Sequence, residues 1–157
     1  MKREAFNMRS LVLMLILTQG AWAFDKTPSP SWTPTEVVEI VLSAMASNDT
    51  PEADAGIKQA FEFASPRNRQ ATGPFWHFKA IVKQQNFAPL LNHTSRDIGE
   101  AVLEGDTASI PLVVVGPSGD VAGFMWTLSK QTEGEFTDSW MTDGVVRVPL
   151  GPSMKAL

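Results

Sequence analysis

Asp138 and Trp140 stand two residues apart in a stretch where Phe136, Asp138, Trp140 and Thr142 alternate with other residues. In a strand such residues share one face, so this spacing sets a carboxylate beside a large apolar ring. Desolvation penalises the charged form and raises the pKa, which would equip Asp138 as a general base or a ligand anchor. The plainer reading leaves Asp138 as a strand-edge carboxylate in water. Trp126, on the preceding alternating stretch, and Phe78, on the stripe Phe75, Phe78, Ile81 and Val82, are the aromatic groups that could join Trp140 around a ligand. They serve equally as core.

Little other chemistry is on offer. The motifs that mark phosphate-binding loops, dinucleotide folds, zinc proteases and serine hydrolases are missing from the chain. His77 and His93 have no acidic residue at ligand spacing, so no metal site is expected, and no cofactor. There are no cysteines, which excludes disulfides, thiolate metal sites and thiol nucleophiles, and no tyrosines, which removes a common oxyanion donor.

The elements that would position these groups fall into two halves. Thr33-Pro34-Thr35-Glu36 is a capping box with proline at the first helical position, and Val37, Val38, Ile40, Val41, Ala44 and Met45 follow at helical spacing. Thr50-Pro51-Glu52 predicts a second start, with Ile57, Ala60, Phe61 and Ala64 on one face until Ser65-Pro66 breaks it. A third helix is predicted from Gly73-Pro74. Beyond about residue 90 the period becomes alternating, with hairpin punctuation. Four strands are expected: one within Thr94–Leu103, with Gly99 as a bulge, then Ala108–Val115, then one carrying Ala122, Phe124, Trp126 and Leu128. The last carries Phe136 to Thr142, and Val145–Val148 either extend it beyond a kink at Gly144 or form a short closing strand. The predicted fold class is α+β, with N-terminal helices packed on one face of a four-stranded antiparallel meander.

The N-terminus predicts an address. Lys2, Arg3 and Arg9 precede Leu11–Leu17, and Ala21-Trp22-Ala23 offers a small-x-small cleavage site, the three regions of a secretory signal. The run is too short for a span of about 20 apolar residues. Cleavage after Ala23 is expected, with either Met1 or Met8 as the start, and the mature protein is expected in the periplasm or secreted. The expected organisation is signal 1–23, flexible leader 24–32, one domain 33–149 and a tail 150–157. The whole chain has 157 residues and net charge −4. Removing residues 1–23, which carry Lys2, Arg3, Arg9 and Glu4, leaves 134 residues at about −6, with scattered basic groups. That disfavours nucleic acid and anionic lipid as partners.

The segments Ala60-Phe61-Glu62-Phe63-Ala64-Ser65-Pro66, Phe75 with Phe78, Asn86-Phe87-Ala88-Pro89 and Asp138-Ser139-Trp140-Met141-Thr142-Asp143-Gly144-Val145-Val146 resemble, in that order, the domain-of-unknown-function family 4864. The resemblance spans about Pro34 to Val148; Phe87 departs from it, where the family favours tyrosine. It implies the nuclear-transport-factor-2-like superfold, in which helices pack into a curved sheet to form a cone with a pocket, and it implies no reaction. The expected function is a non-enzymatic module that binds a small hydrophobic ligand between the third helix and the sheet, at Phe78, Trp126 and Trp140. The alternative is a cofactor-independent lyase or isomerase with Asp138 as base. A third reading is a homodimer formed through an apolar patch on the sheet.

Overall fold

The computed structural model describes residues 26–151. The expected signal peptide, the choice of start, the first leader residues and the tail from 152 lie outside the described residues. The fold is α+β. Four helices, α1 (Pro34–Ala46), α2 (Ala55–Glu62), α3 (Pro66–Thr72) and α4 (Phe75–Val82), and a 3-10 turn (Ala88–Leu90) precede five strands: β1 (Ser95–Ile98), β2 (Val102–Glu104), β3 (Thr107–Val115), β4 (Val121–Lys130) and β5 (Trp140–Val148). All sheet pairings are antiparallel, in the order β1-β3-β4-β5, with β2 continuing along the same side of β3. The core lies between the helices and one sheet face. Val37, Val41, Ile57, Phe63 and Phe78 meet Ile110, Leu112, Phe124, Trp126 and Leu128 there.

α1 begins as its sequence dictates. Thr33 Oγ1 accepts from the Glu36 amide, and the Glu36 carboxylate accepts from the Thr33 amide at 2.8 Å. The second helix does not begin at Thr50-Pro51 but at Ala55, because residue 48 does the capping from a distance. Asn48 is buried; its carbonyl oxygen accepts from the Gly56 amide at 3.0 Å and its Oδ1 from the Ile57 amide at 3.1 Å. Two of the orphan donors of the first turn are thereby satisfied from just beyond the end of α1. Gly56 lets the helices approach this closely: a Cβ there would stand 2.5 Å from the Ala44 carbonyl oxygen. Ser65-Pro66 ends one helix and also starts another, since Ser65 Oγ caps α3 by accepting from the Asn68 amide.

The expected single strand over Thr94–Leu103 is two strands, and Pro111 is the cause. Gly99 N–H donates to the Pro111 carbonyl at 2.8 Å, so that side of Pro111 faces the first strand, where proline has no N–H to give in return. The ladder lapses between Ile98 and Val102 and resumes on β2. The segment carrying Phe136 and Asp138 is not strand. Residues 133–138 form bends and a turn with Gly134 and Asp138 at positive φ, closed where Gln131 and the 138–139 backbone exchange hydrogen bonds. At the start of its described part the leader meets α2: Gln59 donates to the Lys26 carbonyl at 2.6 Å and accepts from its amide.

Candidate functional site

A partly enclosed cavity of about 230 Å³ opens between the helices and the inner face of β4 and β5. Its apolar walls come from Met45 of α1, Ala60 of α2, Phe78, Ile81 and Val82 of α4, Phe87 and Leu90 around the 3-10 turn, and Trp126 and Val145 of the sheet. Phe78 is fixed by Phe61, whose ring lies 5.2 Å away and which also meets Phe75 edge-on. Asn68, Thr72, Thr142 and Asp143 line the polar part of the cavity.

A single irregularity in β5 builds that part. Leu128 pairs with Thr142 and Thr127 with Gly144, so Asp143 is an extra residue with no partner on β4, a β-bulge. On its other edge β5 is covered: the Thr142 amide donates to the Phe63 carbonyl and the Ser65 amide to the Thr142 carbonyl, both at 2.8 Å. The bulge turns Asp143 toward α3, where Ser65 Oγ donates to Asp143 Oδ1 at 2.6 Å. Asn68 Nδ2 donates to the Thr142 carbonyl at 3.1 Å. A carbonyl can only accept, so this bond fixes the amide and leaves Asn68 Oδ1 as an acceptor. Beneath them Trp126 Nε1 donates to Thr142 Oγ1 at 2.9 Å, which satisfies the buried indole.

Of the aromatic residues singled out from the sequence, Phe78 and Trp126 line this cavity and Trp140 does not. Trp140 pairs with Lys130 beyond the bulge, is buried in the core and carries the Lys130 ammonium 5.9 Å above its ring. Asp138 is exposed in the turn before β5, outside the cavity, at φ 65°. It shares no strand face with Trp140, so the desolvation argument fails there, and with it a base role for Asp138. His77 is exposed, with Nδ1 against the Thr72 carbonyl at 2.7 Å. His93 is buried beneath the 3-10 turn, Nδ1 donating to the Leu90 carbonyl at 2.8 Å, and burial pushes its pKa down. Neither lines the cavity.

The residues that sequence reasoning passed over are Asp143, Asn68 and Thr142. Asp143 and Thr142 stand inside the stretch quoted for the family resemblance; their roles come from a register shift against β4. Asn68 stands three residues after Ser65, and the Ser65-Pro66 pair signals a helix start as well as a helix break. Among the described residues no group of three or more His, Asp or Glu side chains is placed to hold a metal ion. No helix of the described residues is long and apolar enough to cross a membrane. No family model, no curated protein and no solved structure matches this chain.

Proposed function

We propose that the chain is an exported module that binds a small, largely apolar ligand between α4 and the sheet. The cavity of about 230 Å³, walled by Phe78, Trp126, Val82 and Leu90, carries this reading. An apolar cavity of about 150 Å³ takes benzene, and sites for drug-sized ligands start at about 300 Å³, so the fitting ligand is a substituted single ring or a short branched chain. The sequence resemblance to family 4864 and its cone-shaped superfold supports the same reading, as does the order of helices before a meander. Export rests on the basic, apolar and small-x-small segments of residues 1–23. Binding is favoured over turnover by a lyase or isomerase because the cavity carries one carboxylate, Asp143, and no lysine, arginine or histidine to face it.

Titration with benzyl alcohol, indole and short branched alcohols tests the proposal, read by tryptophan emission and by melting temperature. Saturable emission changes that weaken in Trp126→Phe, with a rise in melting temperature that grows with ligand concentration, are expected. A flat response to every probe in both readouts would overturn it.

A further inference from the structure

The polar part of the cavity is rich in acceptors and carries a single charge. Most of its donors are engaged within the protein: the Ser65 hydroxyl on Asp143 Oδ1, one Asn68 amide hydrogen on the Thr142 carbonyl, the Thr72 hydroxyl on the Asn68 carbonyl, and the Trp126 indole on Thr142 Oγ1. The acceptors that remain for a ligand are the second carboxylate oxygen of Asp143 and Asn68 Oδ1, on a residue only 7% exposed, and they outnumber the one hydroxyl donor beside them, on Thr142. No lysine, arginine or histidine lines the cavity, and none of the ion pairs among the described residues involves Asp143. A half-buried carboxylate in an otherwise neutral cleft attracts a cation more strongly than one in open water, because the apolar walls lower the local dielectric. It repels a ligand carboxylate for the same reason.

We infer that the ligand is a small amine, with its ammonium on Asp143 and Asn68 and its aromatic or branched body against Phe78 and Trp126. The ammonium offers donors only, which is what two free acceptors demand. Discrimination is twofold: an acid is excluded by charge, and a neutral isostere loses the charge-assisted hydrogen bond. This inference rests on the proposed binding role of the cavity, and a matched set of probes separates the two. Benzylamine, benzyl alcohol and benzoate have nearly the same shape and differ in charge.

Calorimetric titration of the full mature chain near neutral pH should give benzylamine a Kd at least tenfold below that of benzyl alcohol, with benzoate weaker than both. Asp143→Asn should weaken benzylamine at least tenfold and move benzyl alcohol by less than threefold. The wild-type ratio stands as a test even where that variant does not fold. Equal affinity for amine and alcohol, preference for benzoate, or an Asp143→Asn protein that keeps its grip on benzylamine would each overturn the amine assignment while leaving a ligand-binding cavity. No binding of any of the three would overturn the amine assignment, and a flat response to the neutral panel as well would remove the binding role with it.

Discussion

Ser65 and Asp143 lie 78 residues apart in the chain and are joined by a hydrogen bond of 2.6 Å between hydroxyl and carboxylate. The same hydroxyl oxygen accepts from the Asn68 amide at 3.1 Å, so one atom caps α3 and fixes the bulge of β5. Ser65→Ala removes both bonds, whereas Asp143→Asn keeps the cap and an acceptor for the hydroxyl. Urea unfolding should show Ser65→Ala costing about 1–2 kcal/mol, the upper part of the range for a lost cap, and Asp143→Asn costing clearly less. Equal losses would mean the cap contributes nothing.

Trp126 and Thr142 form a second pair, wholly inside the protein. Thr142→Val conserves volume but strands the indole N–H, which costs about 1–3 kcal/mol for a buried donor without a partner. In a Trp126→Phe background that donor is gone, and the same substitution should be nearly neutral. A double-mutant cycle in denaturant reads the difference, and a coupling near zero would show that water replaces the threonine.

Gly56→Ala tests the approach of α1 and α2. Alanine is the better helix former by about 1 kcal/mol, so propensity alone predicts stabilisation. The added methyl would meet the Ala44 carbonyl oxygen at 2.5 Å, and backbone cannot step aside as a side chain does. A net loss of about 1–3 kcal/mol is expected from overpacking, seen as a lower melting temperature.

His93 predicts a pH dependence. Its pKa is lowered from the usual 6.5, first by burial and further by the nearby Arg96 guanidinium, against the opposing pull of its bond to Leu90. As pH falls, the unfolded chain takes up this proton before the folded one does. The stability linked to neutral His93 is therefore present above about pH 6.5 and is lost progressively below it. Unfolding curves at about pH 7.5 and about pH 5.5 should show this fall, and His93→Gln should flatten it. The lowered carboxylates of Glu36, Asp49 and Asp54 act in a separate, more acid window, where stability is lost as they protonate.

Local signals in the chain were legible where neighbours along the sequence decide the outcome. The capping box at Thr33 and Glu36 is such a case, and the alternation Phe124, Trp126, Leu128 is another: both depend on residues within one turn or one strand. Legibility ended where the deciding partner lies far along the chain. Asn48 displaces the second helix start because it reaches the amide of Ile57, nine residues on. Pro111 divides a strand that precedes it by about ten residues. Asp143 leaves the ladder only by comparison with β4, and nothing in its own segment marks it as the unpaired residue. The alternation that would align Asp138 with Trp140 is interrupted by the turn at Gly134 and by the positive φ of Asp138 itself. The aromatic part of the cavity could thus be named from sequence at Phe78 and Trp126, while its polar part could not.

The bulge makes the cavity's charge separable from the scaffold. With Asp143 excised, Thr142 and Gly144 become neighbours and still face Leu128 and Thr127, so the ladder closes into an uninterrupted register and no later side chain changes face. One codon therefore carries the anion, and the sheet is complete without it. Loss or gain of that codon would convert one scaffold between a charged and a neutral cleft in a single step, with the Ser65 tie between α3 and β5 lost or gained alongside it.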